Sequence, residues 1–388
     1  MNITLVRGAF LNPFEMQLYE PLSKRHHVTA IGADWQFYAH PLSWPGELKQ
    51  PRLWGSTLSR LHDRGPVWWN RALSWTLGRS YGLCDLRKCV GKPDILHAAE
   101  SFFTMTYQCL QIKRRTGCRL VVTVSENLPH SGETHPLRRF RKQAVLREAD
   151  LFLAITETTR VMLLEEGVPE KRIAIIPNSI ATDRFVPGPK DPALLARLRL
   201  TTDDFTVLFI GRFVREKGLD EILAAIPGIL ERHPNRSIRF CFLGEGPLDG
   251  RLRRALSRWP VIIRIHPFVP YSEIPSFHRL ADIFIMPSKQ GPKINEQFGF
   301  VLAESMATAK AVITTRCGSI PDVVGGAAVL IPPADAPALE KALGELIASA
   351  PDRLRLGEMA KERVQAHFDA KRNAGRLELL YQRLLKPA

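Results

Sequence analysis

Two doubly wound α/β domains of the Rossmann-like kind are the architecture that this 388-residue sequence predicts. Three observations lead there. Short apolar runs alternate with helical patterns along the chain, the signature of a parallel sheet flanked by helices. The alternation occurs twice, interrupted at Pro187-Gly-Pro-Lys-Asp-Pro192, where prolines break any continuing element. The length also suits two domains at roughly 100 to 200 residues each.

In the first series Ile3 to Val6, His27 to Ile31, Ile95 to His97, Leu120 to Val124, Leu151 to Ile155 and Ile173 to Ile176 read as strands. Helices fit between them, for example Glu15 to Lys24 and Arg138 to Ala149. The second series runs through Thr206 to Ile210, Arg239 to Leu243, Ile262 to Ile265, Ile283 to Met286, Ala311 to Thr314 and Ala328 to Ile331. The expected domains are residues 1–187 and 193–368. Residues 369–388 form a third segment, in which Leu377, Leu379, Leu380, Leu384 and Leu385 read as helical spacing, and it is expected to pack back on the body. Ligands of open α/β sheets bind at the carboxyl ends of the strands, so two such domains facing each other predict a cleft that holds the chemistry.

Hydrophobic content of 45% and charged content of 24% are ordinary for a globular protein and exclude extended disorder. Lysine and arginine number 54 against 39 acidic residues, and the net charge of +15 attracts phosphates, acidic sugars, anionic lipid or nucleic acid without choosing among them. The six cysteines include no C-x-x-C pair and no histidine at zinc-finger spacing, so they read as free thiols of a reducing compartment. The first residues carry too short an apolar run for a signal peptide, and no stretch approaches the roughly 18 apolar residues that span a bilayer. The expected location is the cytoplasm, at most at the inner face of the cytoplasmic membrane.

The segment Glu296-Gln-Phe-Gly-Phe-Val-Leu-Ala-Glu304 sets two carboxylates across a loop that enters a helix. A first helical turn leaves N–H groups unpaired and carries partial positive charge, so the backbone at Phe298, Gly299 and Phe300 can receive a phosphate. At about 1.5 Å rise per residue, Glu304 lies roughly 7 to 8 Å further along, a distance suited to a ribose attached through a diphosphate. Glu296 sits before the helix, near whatever hangs on the far phosphate. The same residues also describe an ordinary buried helix with a charge at each end.

The second series opens with a strand followed by Gly211-Arg-Phe-Val-Arg-Glu-Lys217. Gly211 permits close backbone approach, and Arg212 and Lys217 put two cations at a strand-to-helix turn, which together make a diphosphate clamp. Singly, each reads as a solvated surface charge. Phe242-Leu-Gly244-Glu-Gly246-Pro ends another strand and reads as a tight turn beneath a nucleotide, since the full dinucleotide fingerprint is absent.

On these motifs the sequence resembles glycosyltransferase family 4, the retaining, sugar-nucleotide-dependent enzymes of the two-domain glycosyltransferase B fold. The matching residues are Gly211-Arg212 with Lys217-Gly218, Gly244-Glu-Gly246-Pro, Ala281-Asp-Ile-Phe-Ile-Met-Pro287-Ser, the Glu296 to Glu304 pair, Gly318-Ser-Ile-Pro-Asp-Val-Val, and, in the first half, Ile176-Pro-Asn178-Ser-Ile and Arg184-Phe-Val-Pro187. The likeness covers essentially the whole chain, with its specific motifs mostly in residues 205–335. It implies transfer of a sugar, in the expected case a hexose, from a nucleoside-diphosphate sugar to a hydroxyl of a glycan, lipid-linked or small-molecule acceptor. Arg212 and Lys217 would bind the donor phosphates, Glu304 the ribose, Glu296 the transferred sugar and the amides around Phe298 to Phe300 the outer phosphate. Preorganised donors at such a site are worth roughly 3 to 4 kcal/mol each, so two cations can replace a metal. No metal and no cofactor beyond the donor are expected, and Asp203-Asp204 reads as a turn cap.

His97 resembles the family's active-site histidine, able to bond the transferred sugar or take a proton, and also reads as a structural residue after a strand. Two loops depart from the family pattern, Gly8-Ala-Phe-Leu-Asn-Pro and Ser125-Glu126-Asn127. Glu126 is a candidate acceptor-side base, but the reading favoured for it is a turn-forming Glu126-Asn-Leu-Pro.

Trp35, Trp44, Trp54, Trp68, Trp69 and Trp75 cluster in a proline-punctuated stretch. Such rings stack on sugars, sit at membrane interfaces or pack an irregular insertion. Leu137-Arg-Arg-Phe-Arg-Lys-Gln-Ala-Val-Leu-Arg is either a basic helix resting on anionic lipid or a solvated face covering a core. Together with the charge, these features favour a membrane-proximal acceptor. A sugar-nucleotide epimerase of similar fold is the alternative enzyme class. A nucleic-acid-binding protein is suggested by charge alone, with no recognition motif, so nucleic acid is not an expected partner.

Overall fold

The computed structural model describes residues 1–36, 44–53, 81–265, 269–291 and 295–386. It divides into two compact units, Met1–Ser179 with Ala370–Ala388, and Ile180–Asp369.

The first unit is built on seven parallel strands: β1 (Asn2–Gly8), β2 (His27–Gly32), β3 (Glu47–Lys49), β4 (Ile95–Ala99), β5 (Arg119–Val124), β6 (Leu151–Ala154) and β7 (Ile173–Ile175). Their spatial order is β3-β2-β1-β4-β5-β6-β7. Side chains of a strand alternate between the two faces of its sheet. Val6, Leu96, Ala98 and Val122 therefore enter one apolar core, while Ile3, Leu5, Ile95 and Val121 enter the other. The helix Ala370–Leu385 contributes Ala374, Leu377 and Tyr381 to that second core, so the end of the chain belongs to the first unit. The helix expected over Glu15 to Lys24 is replaced by two short ones, Pro13–Met16 and Glu20–Ser23. Pro21 has no N–H to donate and so cannot continue a helix from the preceding turn. The edge strand β3 escaped sequence reading because three residues are too few to show a period.

The second unit holds β8 (Phe205–Ile210), β9 (Ile238–Leu243), β10 (Ile262–Ile265), β11 (Ile283–Met286), β12 (Ala311–Thr315) and β13 (Val329–Ile331), in the order β10-β9-β8-β11-β12-β13. This is the Rossmann-like arrangement that the sequence predicts. The order reverses between β8 and β11, and such a switch point opens a crevice at the carboxyl ends of the strands. The second unit begins earlier than the proline-marked boundary that the sequence suggests, because the structure groups Ile180–Asp369 together. The Ile180 N–H donates to the Phe368 carbonyl at 2.9 Å, and Thr182 bonds Asp369. Buried Phe185 lies 6.0 Å from the rings of both Tyr271 and His278. The tertiary burial of Phe185 outweighs the local signal of the prolines that follow.

The basic helix Pro136–Glu148 turns its charges in two directions. Lys142 is only 2% exposed, pairs with Glu166, lies 3.3 Å from Glu133 and donates to the Ser131 carbonyl at 3.1 Å. Leu137 and Phe140 face solvent at 46% and 59% exposure. Replacing one member of a buried ion pair leaves its partner uncompensated at a cost of about 3 to 5 kcal/mol. Lys142→Met is accordingly expected to destabilise the first unit by that amount, seen as an earlier transition in urea unfolding followed by circular dichroism.

Candidate functional site

Strand polarity brings the second unit's sequence motifs to one edge. Gly244, after β9, touches the turn after β8: a Cβ there would lie 1.9 Å from the Gly211 carbonyl oxygen. Gly218 has φ +72°, and a Cβ on it would lie 2.0 Å from the Pro287 carbonyl oxygen after β11. Only glycine fits either place. The same two turns are further tied by the Lys289 N–H bonding the Glu216 carbonyl at 2.8 Å and by the Lys289–Glu221 ion pair at 2.6 Å. Thr315 Oγ1 of β12 bonds the Ser288 carbonyl and Thr314 Oγ1 bonds that of Met286, which fixes the segment carrying Ser288.

Against this edge stands Glu296. Its Oε2 receives the Lys217 ammonium at 2.5 Å and the Ser288 hydroxyl at 3.0 Å, while its carbonyl accepts from the Ser319 N–H at 2.9 Å. Burial pushes the Glu296 pKa up, but Lys217, Ser288 and the Arg212 charge outweigh it and hold the carboxyl below its ordinary range. Glu296 is thus an anion at neutral pH, facing two cations. Arg212 is exposed and Lys217 half-buried. The helix Phe300–Ala307 starts at Gly299, where no side chain caps its first turn, and Phe298 is buried beneath it. Glu304 lies inside the unit at 1% exposure, with Oε1 accepting from Tyr271 Oη at 2.6 Å and Oε2 facing His278 Nε2 at 3.3 Å. The structure therefore assembles Gly211, Arg212, Lys217, Gly244, Ser288 and Glu296, with Glu304 one step deeper. Ser288 escaped the sequence reading, although it ends the quoted Met286-Pro-Ser motif. Tyr271 had no motif to mark it.

The first unit corrects the reading of His97. That residue is wholly buried on the face of β4 that packs against the C-terminal helix, with Nδ1 bonded to Tyr381 Oη at 2.6 Å and Nε2 to Thr123 Oγ1 at 2.7 Å. Burial, then the nearby Arg7, push its pKa well below 6.5. With both ring nitrogens engaged in the core, His97 fits the structural reading rather than the catalytic one. Glu126 likewise folds its own turn, accepting from the N–H groups of Asn127 and Leu128 and from the Ser131 hydroxyl.

In the first unit the sequence reading passed over Glu100, directly after β4. It sits at φ +59°, a conformation that non-glycine residues rarely adopt, and its Oε1 accepts from the Ser125 N–H at 2.8 Å. Its Oε2 is buried without a partner among the described residues. Burial raises its pKa to about 8, with Glu126 and Glu15 adding to the effect. The backbone strain and the raised pKa leave no trace in sequence.

Asp204 accepts from the Thr201 N–H, the Ser237 hydroxyl and the Arg239 guanidinium, which caps the turn before β8 as expected. Among the described residues, His130, Glu133 and Glu166 are spaced as metal ligands, but the Lys142 ammonium already stands against both carboxylates. Trp35 and Trp44 pack half-buried on the two cores of the first unit, and Trp54, Trp68, Trp69 and Trp75 lie outside the described residues. The six cysteines are free thiols.

Glu100 generates a stability test. A carboxyl raised from about 4.5 to about 8 keeps its proton in the folded state, so its stabilisation is complete below pH 4.5 and lost as pH rises through about 8. The melting temperature of the wild type is expected to fall across that window more than that of Glu100→Gln, with the variant the more stable above pH 8.

Comparison with known proteins adds an independent finding. Residues 204–349 match the family model described as Glycosyl transferases group 1, and residues 17–184 match that of Glycosyltransferase Family 4. A GDP-mannose-dependent alpha-(1-6)-phosphatidylinositol monomannoside mannosyltransferase of Mycolicibacterium smegmatis is 27% identical over 243 residues, 61% of this chain and 63% of that protein. A D-inositol 3-phosphate glycosyltransferase of Corynebacterium urealyticum is 30% identical over 261 residues, 64% of this chain and 60% of that protein. The matches thus span less than two thirds of these relatives' length. In fold, the chain resembles a sucrose-phosphate synthase from Thermosynechococcus elongatus, with TM-score 0.74, 18% identity and 99% of each chain covered. It also resembles Anabaena HepE in complex with UDP, with TM-score 0.71, 14% identity, and 98% of this chain and 100% of that one covered. Two parallel α/β units of the glycosyltransferase B type, with the motifs of both halves matched, make this chain a member of glycosyltransferase family 4, the group 1 glycosyl transferases.

Proposed function

We propose that the chain is a retaining, metal-independent glycosyltransferase that moves a sugar, in the simplest case a hexose, from a nucleoside diphosphate to an acceptor hydroxyl. The observation that carries this reading is the meeting of Lys217, Ser288 and Glu296, with the Arg212 charge beside them, at the switch point between β8 and β11. As the bond between sugar and diphosphate breaks, negative charge grows on the leaving phosphate and positive charge on the sugar ring. Lys217 and Arg212 meet the first, in the role that a bound cation otherwise takes. Glu296, held as a carboxylate, accepts hydrogen bonds from sugar hydroxyls and favours the positive ring. The first-turn amides of the helix Phe300–Ala307 receive the outer phosphate, and Glu304 receives the ribose.

For the acceptor we favour a lipid-linked glycan or polyol presented at an anionic membrane surface. Support comes from the exposed Leu137 and Phe140 on a basic helix, the net charge of +15, and the inositol-containing compounds named for the two relatives above. Among the described residues, no helix is long and apolar enough to cross a membrane.

Two experiments test these readings. Lys217→Met is expected to lower turnover by about 100- to 1000-fold with a smaller change in donor binding by calorimetry, once a thermal-shift screen of UDP-, GDP-, ADP- and dTDP-sugars has identified the donor. Unchanged turnover would remove Lys217 from the mechanism. Co-sedimentation with phosphatidylglycerol vesicles at low salt is expected for the wild type and reduced for a Leu137→Ser, Phe140→Ser double variant. Absence of wild-type binding overturns the membrane reading.

A further inference from the structure

The carboxylate given to ribose is closed to it as it stands. The Glu304 side chain is 2% exposed, and each oxygen faces a protein group, Tyr271 Oη at 2.6 Å and His278 Nε2 at 3.3 Å. A carboxylate accepts hydrogen bonds and donates none, so His278 Nε2 is the donor of its pair. The two partners differ in how they are held. His278 is wholly buried in the helix Ile274–Leu280, walled by the rings of Phe185 and Phe284 at 6.0 and 5.6 Å. Tyr271 lies on a single 3-10 turn, Tyr271–Glu273, partly exposed, with its ring tilted against Phe185. Of the two, Tyr271 is the partner with access to solvent.

We infer that the Tyr271 hydroxyl is a stand-in for a ribose hydroxyl, and that a nucleoside diphosphate reaches Glu304 by displacing it. This rests on the ribose reading of Glu304 proposed above. The exchange replaces one O–H bond to the carboxylate with another, so the first ribose hydroxyl yields little net affinity. For a ligand whose ribose hydroxyl bonds Glu304, only the fraction of molecules with Tyr271 swung aside makes that bond, and its contribution to affinity falls by that fraction. Tyr271 is in this sense a specificity residue. A ligand lacking a ribose hydroxyl leaves the tyrosine in place and forfeits little, whereas without the tyrosine's hydroxyl the buried carboxylate depends on the ligand for its missing donor.

The experiment is isothermal calorimetry of the full chain with UDP and GDP, and with their 2′-deoxy and 3′-deoxy forms, for the wild type, Tyr271→Phe, Tyr271→Leu and Glu304→Gln. Displacement predicts binding about 5- to 20-fold tighter in Tyr271→Phe, and a larger penalty for the deoxy ligands than in the wild type. Tyr271→Leu, which removes the ring as well, is expected to show the same order. Melting temperatures of the variants identify any loss of folding. Equal or weaker binding by both folded Tyr271 variants, alongside weaker binding by Glu304→Gln, overturns the stand-in and leaves the ribose reading intact. Unchanged binding by Glu304→Gln removes the ribose reading, and the stand-in with it.

Discussion

Parallel strand pairing is the constraint on which the second unit depends. Strands that run the same way deliver all their carboxyl ends to one edge, and the crossover helices must begin there. Loops after β8, β9 and β11 are far apart in sequence and still converge, and the glycine contacts at Gly244 and Gly218 let their backbones touch. Lys217 and Glu296 come from two of those loops and meet at 2.5 Å, with Ser288 completing the group. The ion pair is a consequence of topology before it is a feature of chemistry. Threonines of the neighbouring strand β12 then hold the Ser288 segment in place.

The two units use the same layout for different ends. At the carboxyl edge of the second unit, opposed charges lie partly open, with Glu296 ionised between cations. In the first unit the edge after β4 carries Glu100, whose pKa is pushed up to about 8 by burial and by the neighbouring Glu126 and Glu15. One edge carries opposed charges and the other a buried carboxyl with a raised pKa.

Sequence made the strands legible wherever an apolar run coincided with a fully buried position, as in Phe205–Ile210 or Ile283–Met286. It also marked the residues that gather at the carboxyl edge of the second unit, because glycine and charge recur there at fixed offsets. It failed where tertiary contact overrides local signal. Phe185 draws the start of the second unit ahead of the prolines, and the alternation that hides His97 within β4 acts together with Tyr381, 284 residues further along. Glu100 is marked by its backbone angle and its desolvation, and Tyr271 by a partner in another helix. Neither property is written in residue type or spacing.

The helix Ala370–Leu385 has a consequence for the order of folding. It supplies Tyr381 to the polar chain that links His97, Arg7 and Tyr19 beneath the first sheet. That chain cannot close while the intervening second unit, Ile180–Asp369, is still being made. At about 5 to 20 residues per second of synthesis the interval is roughly 10 to 40 s. During it the first unit carries a buried-type histidine and an apolar sheet face without their cover. The helix Ala370–Leu385 therefore completes a core that β1 begins.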